Sequence, residues 1–174
     1  MIVSLHREEN VDYEDNLKNI LKSLDLLATK LGKKVFVSTH PRTQKRMDAL
    51  GFKNANSLVE YLKPFGFLDY NKLQKHAYCV VSDSGTITEE SSLLGVPAIT
   101  IRNAHERPEG MDVGTIIMSG TNPEDVLDAV KIAVGTKRAK IIPDYDVDNV
   151  SEHIVKIIQS YKHYVDRFVW RKMV

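Results

Sequence analysis

A short stretch near the middle of the chain combines residue types that bind anions. From Tyr78 to Pro97 it reads YCVVSDSGTITEESSLLGVP. Its apolar start is typical of a buried strand, its serines and glycine are typical of a turn, and T-x-x-E fits a capping box at a helix start. The first N–H groups of a helix lack internal partners, and the helix dipole favours negative charge there. The pattern therefore predicts an anion site.

The side chains in this stretch suggest a nucleotide. The hydroxyl groups of Ser84 and Thr86 can donate to phosphate oxygens, and Glu89 or Glu90 can accept both hydroxyls of a ribose. The stretch matches neither the P-loop nor the dinucleotide fingerprint. The alternative is a well-capped helix whose glutamates only complement its dipole. This stretch alone leaves both interpretations open.

Other candidate residues follow predicted strands elsewhere in the chain. His6 and Arg7 can bind a phosphate, although a solvated loop is the alternative. His40 precedes a proline, where a structural role is an equally good interpretation. Arg107 and His105 lie in a charged loop, and either a salt bridge or a ligand explains them. No histidine has metal-ligand spacing and no G-x-S-x-G elbow occurs, so the sequence indicates a pocket more clearly than a catalyst.

Strands and helices must alternate to position these residues. Short apolar runs predict strands at 1–5, 35–39, 59–62, 78–81, 98–101 and 115–118, and helical patterns separate them. A long terminal helix is predicted from Ser151 to about Arg171. This order is typical of an α/β fold with a Rossmann-like parallel sheet and helices on both faces. The loops HREEN, THPRT, SDSGT and NAHERPE follow strands, so we expect them to gather at one edge, where such folds bind ligands.

Composition excludes several classes of protein. A net charge of +1 over 174 residues gives no electrostatic reason to expect nucleic acid or acidic membranes. No apolar run is long enough to span a bilayer, and no signal peptide is recognisable. A single cysteine, Cys79, suits a reducing compartment, so we expect a cytoplasmic protein. The chain starts directly in a predicted strand, which suits a fragment of a longer polypeptide.

With these motifs assembled, the chain resembles the C-terminal half of the non-hydrolysing UDP-N-acetylglucosamine 2-epimerase family. The motifs that carry the resemblance are HREEN at 6–10, HP at 40–41, SDSGT at 82–86 with EE at 89–90, and ERPE at 106–109. The family has two Rossmann-like domains of glycosyltransferase-B type with a UDP-sugar between them. The resemblance implies that residues 1–174 are the C-terminal UDP-binding domain and that the N-terminal catalytic domain is absent.

The resemblance also implies roles for single residues. His6 would contact the phosphates and support catalysis, Ser84 and Gly85 would hold the diphosphate, and Glu90 would bind the ribose. The backbone at Tyr70 would contact the uracil. The full set of implied substrate-binding residues is Arg7, Tyr70, Ser84, Gly85, Thr86, Glu90 and Arg107. A possible activator site for a second UDP-sugar would use Glu9 and His40 together with Arg7. No metal or cofactor is implied.

Family members invert C2 by anti elimination of UDP and its re-addition, with acid/base carboxylates from the N-terminal domain. We therefore expect the isolated chain to be inactive and the full-length protein to be a homodimer. Glu8 stands where the family often has arginine, and its carboxylate should repel an activator phosphate. Thr86 stands where glycine is frequent. These departures, with the ending from Tyr161 to Trp170, resemble the branch that forms UDP-N-acetyl-L-fucosamine for capsule or O-antigen.

Two alternatives remain open at this stage. The chain could be a stand-alone, non-catalytic UDP-sugar-binding domain. It could also be the donor half of a glycosyltransferase-B enzyme, which shares the fold and the ribose-binding glutamate.

Overall fold

One parallel sheet of six strands organises the chain. The computed structural model describes residues 1–104, 106–137 and 140–172. Within these ranges the strands are β1 (Ile2–Leu5), β2 (Val35–Thr39), β3 (Val59–Leu62), β4 (Val80–Ser82), β5 (Ala98–Thr100) and β6 (Ile117–Met118). They are arranged in the order β3-β2-β1-β4-β5-β6, and every neighbouring pair is parallel. The predicted parallel sheet is confirmed.

Helices connect the strands. They are α1 (Glu8–Val11), α2 (Glu14–Leu31), α3 (Pro41–Ala49), α4 (Phe67–Lys75), α5 (Ile87–Leu94), α6 (Pro108–Asp112), α7 (Pro123–Gly135) and α8 (Val150–Tyr164). A 3₁₀ turn spans Pro143–Tyr145, and a π-helical turn spans Val165–Val169. The chain divides into two compact units, Met1–Ile142 with the sheet and Pro143–Val174 with α8. No helix among the described residues combines the length and apolarity needed to cross a membrane.

Alternate residues of the central strands enter two separate cores. On β1, Val3 packs in a cluster with residues of α2 and α7, whereas Ile2 packs in a second cluster with Ile87 of α5. Val81 and Val80 of β4 divide in the same way. Successive side chains of a strand point to opposite faces, so helices cover both faces of the sheet. This is a Rossmann-like arrangement of three layers, as predicted.

The amphipathic pattern of α2 determines how it packs. Its buried residues recur every three or four positions, as a helix with one apolar face requires: Leu17, Ile20, Leu21, Leu24, Leu27 and Ala28. Gly32 ends the helix with φ of 59°. This left-handed conformation costs other residues about 1–2 kcal/mol, so glycine is favoured at the helix end.

Two local predictions were wrong. The HREEN segment is not entirely a loop, because residues 8–11 form α1. The THPRT segment is not entirely a loop either, because α3 begins at Pro41, where Nδ1 of His40 accepts the Arg42 amide at 3.2 Å and caps the helix. The predicted terminal helix is continuous from Val150 to Val169, as α8 to Tyr164 and as a π-helical turn beyond it, so its predicted extent to about Arg171 is nearly correct.

Candidate functional site

A row of hydroxyl side chains crosses the carboxyl ends of the central strands. In the parallel register Ser38 lies beside Ser4, Ser4 beside Ser82, and Ser82 beside Thr100. The hydroxyl oxygens of Ser4 and Ser82 are 2.7 Å apart. Sequence reasoning missed this row, although serine at the last or nearly last position of three strands was an available signal.

A cavity of about 270 Å³ opens at this edge of the sheet. Five of its lining residues were predicted for the site, namely His6, Tyr70, Ser84, Thr86 and Glu90. Five others were missed, namely Ser4, Ser38, Phe65, Phe67 and Ser82. A neighbouring recess of about 110 Å³ adds His40 beside His6. The predicted gathering of strand-end loops at one edge is confirmed for these segments.

The turn between β4 and α5 carries a chain of hydroxyl contacts. The hydroxyl oxygens of Ser84 and Thr86 are 3.0 Å apart, and Thr86 donates to Oε1 of Glu90 at 2.7 Å. The predicted capping box is wrong, because Thr86 has helical backbone angles and its side chain caps no amide. Thr86 holds Glu90 instead, and the first amides of α5, those of Ile87 and Thr88, donate to the backbone carbonyls of Ser84 and Gly85 at 3.4 and 3.3 Å.

Glu90 is held at both carboxylate oxygens. Thr86 occupies Oε1, and the amide of Gln74 donates to Oε2. Gln74 is 1% exposed, and its own Oε1 has no partner among the described residues. Gln74 lies four positions after the predicted site residue Tyr70, and residues with this spacing share one face of a helix. This spacing was the sequence signal for Gln74. The arrangement fixes a carboxylate at the side of the cavity, as binding of two vicinal hydroxyls requires.

Tyr70 contributes its side chain rather than a free backbone amide. Its N–H donates to the Gly66 carbonyl at 2.9 Å within α4, so that amide is unavailable to a base. Burial raises the pKa of the Tyr70 phenol, whose hydroxyl interacts with the side chains of Ser4 and Gln74. The phenol is therefore protonated at neutral pH. Phe65 and Phe67, on either side of Gly66, add aromatic surface, and Phe67 is 80% exposed.

Two guanidinium groups lie above the start of α5. A Cβ atom added at Gly85 would lie 2.2 Å from Nη1 of Arg107 and 3.6 Å from Nη2 of Arg7. Arg107 also donates from Nε to Oε1 of Glu89 at 2.6 Å. These two positive charges at the start of α5 make a surface suited to an anion such as a diphosphate.

Asp83 connects the first and fourth strand ends. Its fully buried carboxylate accepts the backbone amides of His6 and Arg7 at 3.0–3.1 Å and the side-chain amide of Asn10 at 3.3 Å. Nδ1 of His6 lies 3.2 Å from it. This hydrogen bond raises the pKa of His6, although burial opposes the rise. Asp83 was not among the predicted site residues, although an acidic residue directly after a buried strand was a signal.

Of the residues expected at the activator site, Glu9 forms an ion pair. Oε1 of Glu9 lies 3.0 Å from Arg102, a residue that sequence reasoning missed and whose side chain is only 7% exposed. Glu8 pairs with Arg42 at 2.6 Å, so its charge is compensated and the expected repulsion of a phosphate is weakened. The His40 and His6 rings are 6.3 Å apart. His105 lies outside the described residues.

The comparisons with known proteins agree with this arrangement. The family described as UDP-N-acetylglucosamine 2-epimerase matches residues 1–159, which include every residue that lines the cavity. The chain belongs to this family. A UDP-N-acetylglucosamine 2-epimerase from Methanocaldococcus jannaschii is 35% identical over 93% of this chain and 45% of its own length. The resemblance inferred from the motifs is confirmed at the level of the epimerase family.

Solved epimerase structures share the fold. The UDP-N-acetylglucosamine 2-epimerase of Rickettsia bellii is 46% identical, with a TM-score of 0.79 over 98% of this chain and 47% of that one. The M. jannaschii enzyme in complex with UDP-GlcNAc and UDP is 34% identical, with a TM-score of 0.82 over 91% of this chain and 44% of that one. The chain thus spans less than half the length of these epimerases.

The described residues contain no group of three or more His, Cys, Asp or Glu side chains that could hold a metal ion. The titratable groups on the cavity wall are His6, Tyr70 and Glu90, and Glu90 is held by two neighbours. Among the described residues, the wall of this cavity therefore has the single carboxylate of Glu90 and no pair of free carboxylates.

Proposed function

We propose that this chain is the UDP-binding domain of a UDP-N-acetylhexosamine 2-epimerase. The observation that carries the proposal is one cavity with two kinds of chemistry beside each other. Its wall has the fixed carboxylate of Glu90 with Tyr70, Phe65 and Phe67. Ser84 also lines it, and the next residue, Gly85, lies beneath the guanidinium group of Arg107. A ribose with its base suits the carboxylate and the aromatic surface, and a diphosphate suits the hydroxyl and guanidinium groups.

In this proposal the remaining catalytic groups belong to an N-terminal domain. The absence of free paired carboxylates on the described cavity wall and the coverage of less than half of the epimerase relatives both support that division. The whole enzyme would remove UDP by anti elimination and add it back after reprotonation at C2. The chain alone would bind UDP and would not turn over a UDP-sugar.

The proposal extends to the biological setting. We place the substrate among UDP-N-acetylhexosamines, with the branch that forms UDP-N-acetyl-L-fucosamine for surface polysaccharides as the specific expectation. The full-length enzyme would be a cytoplasmic homodimer, and the single cysteine, Cys79, suits that reducing compartment. Glu9 and His40 would contact a second, activating UDP-sugar together with Arg7.

A chimera tests this function directly. The chain replaces the matching half of the R. bellii epimerase, and C2 epimerisation of UDP-N-acetylglucosamine and of a UDP-2-acetamido-2,6-dideoxy-L-hexose is followed by NMR. We expect turnover by the chimera and none by the 174-residue chain alone. The matched control carries the corresponding half of the M. jannaschii epimerase. An inactive chimera beside an active control, or turnover by the isolated chain, would contradict the proposal.

A further inference from the structure

The loop that carries His6 is attached to β4 by a single buried carboxylate. Asp83 accepts the His6 and Arg7 amides and the Asn10 side chain, and it also meets Nδ1 of the His6 ring. Its side chain has no exposed surface, whereas that of His6 is 43% exposed. His6 is thus held at its backbone and at one ring nitrogen by the same group.

This double attachment determines which ring nitrogen is available. Nδ1 faces Asp83, and the ring lines the cavity. Among the described residues, Nε2 of His6 makes no hydrogen bond. When one imidazole nitrogen donates to a carboxylate, the tautomer and the orientation of the other nitrogen are fixed. Nε2 is therefore the nitrogen that a ligand in the cavity would meet.

The other charges around His6 come from three elements. Arg7, next to it in the loop, disfavours protonation, and Glu9 of α1 favours it. His40, at the junction of β2 and α3, has its ring centroid 6.3 Å away. Asp83 is the only one of these groups that forms a hydrogen bond with the His6 ring in the described part of the chain.

We propose that Asp83 is a positioning residue, which holds the His6 ring as an imidazolium with Nε2–H directed into the cavity. This inference rests on the proposed function, in which the diphosphate of the nucleotide accepts the hydrogen bond from Nε2–H. A charged donor in a fixed orientation binds a phosphate oxygen more strongly than a mobile neutral one.

The first test measures the His6 ring itself in the 174-residue chain. Asp83→Asn keeps an oxygen for the two backbone amides and removes the charge. Histidine nitrogen chemical shifts are followed from about pH 5.5 to 9 by NMR, a window around the ordinary histidine pKa. In the parent, we expect His6 to titrate above its ordinary pKa of 6.5 and to keep the Nδ1–H tautomer when neutral. In Asp83→Asn, its pKa should fall and the tautomer should change.

His76, at the end of α4, is the internal control. Its signals should not differ between the two proteins, because it has no contact with Asp83 among the described residues. An unchanged pKa and tautomer of His6 in Asp83→Asn would overturn the proposal. The same is true of equal shifts at His6 and His76, which would indicate a general change of structure.

The second test measures the affinity for UDP-N-acetylglucosamine. Its diphosphate is a diester and does not titrate in this range, unlike a phosphate monoester, whose second pKa is about 6. Asp83→Asn should weaken binding about tenfold at pH 6 and clearly less at pH 9, because the protonated fraction of His6 falls as the pH rises. In a His6→Gln background, Asp83→Asn should have little further effect on this pH dependence.

Equal weakening at pH 6 and pH 9 would assign Asp83 to loop stability alone and overturn the proposal. A parent chain that does not bind the nucleotide sugar would contradict the proposed function instead. In that event the titration and tautomer of the His6 ring still decide the role of Asp83.

Discussion

Nε of Arg107 lies 2.6 Å from Oε1 of Glu89, and this ion pair holds the guanidinium directly over Gly85. A loop that follows β5 is thereby joined to the helix that follows β4. The sequence presented Arg107 as either a salt-bridged residue or a ligand-facing one. The structure confirms the salt bridge, and the paired side chain lies over the start of α5, so a role in ligand binding stays a prediction.

Gly85→Ala should displace this guanidinium. A methyl group there would lie 2.2 Å from Nη1 of Arg107, which is closer than atoms can approach, so the side chain must move. We expect UDP affinity to fall about tenfold, because a charged hydrogen bond is worth roughly 1.5–3 kcal/mol. Calorimetric titration of UDP measures the change.

Gly135→Ala is the matched control for that substitution. A Cβ atom at Gly135 meets nothing within 4 Å, and the residue lies at the end of α7. UDP affinity should not change in this variant, and the free energy of unfolding should rise slightly or stay constant. Equal losses of UDP affinity in both glycine variants would argue against a special role of Gly85.

Gln74→Leu should loosen the carboxylate of Glu90. The substitution keeps the buried volume and removes the donor to Oε2 of Glu90. We expect UDP affinity to fall about fivefold, with a change below about 1 kcal/mol in the free energy of unfolding, because an unpartnered Gln74 oxygen is removed at the same time. In a Glu90→Gln background the further loss should be small, since the two residues act together.

Asn10→Ala should lower the free energy of unfolding, although the polar HREEN segment around Asn10 suggested an exposed loop. Nδ2 of Asn10 donates to the Ile101 carbonyl at 2.7 Å and to Asp83, and the side chain is buried. Its removal leaves the Ile101 carbonyl without this donor and takes one of several donors from Asp83, so we expect a loss of about 1–3 kcal/mol in urea unfolding. The control is Asn71→Ala, whose hydrogen bond to the Phe67 carbonyl is exposed and whose loss should cost less than about 0.5 kcal/mol.

His6 should make stability depend on pH. Because the hydrogen bond to Asp83 raises the pKa of folded His6 above 6.5, its contribution is fully present below pH 6.5. That contribution is lost as the pH rises through the raised pKa of the folded state. The free energy of unfolding of the parent relative to His6→Gln should therefore decrease between pH 6 and pH 9, as measured by urea denaturation at both pH values.

Comparing the free energies of unfolding of the parent and His6→Gln cancels the contributions of the other titratable groups. Burial lowers the pKa of the Met1 amino group, which changes stability in the opposite direction as the pH rises. That group is present in both proteins and cancels. A difference between parent and His6→Gln that is constant or grows with pH would contradict the assignment.

Local patterns predicted most of the fold because the signals are local. The apolar runs that form β1, β2 and β3, the periodicity of α2 and the left-handed Gly32 are all encoded within a few residues. The polar loops that follow strands could be placed together because parallel strands have a common carboxyl edge. For the same reason, Ser84 and Thr86 of the SDSGT segment were predicted at the edge where the cavity opens.

The missed residues depend on contacts between distant segments. Asp83 lies 73 or more positions from the three residues that it holds. The serine row exists only because the strand register places Ser38, Ser4 and Ser82 side by side. Thr86 was assigned a capping role because its sequence spacing allows one. The carboxylate of Glu90, itself fixed by Gln74, competes for the same hydroxyl.

The most direct measurement of the central claim is a calorimetric titration of UDP into the 174-residue chain, beside Glu90→Gln and an exposed control, Glu124→Gln. The account predicts saturable binding by the parent and the control, and affinity at least about tenfold weaker in Glu90→Gln, since a charged hydrogen bond to the ribose is lost. A folded parent that does not bind UDP, or equal affinities of the parent and Glu90→Gln, would contradict it.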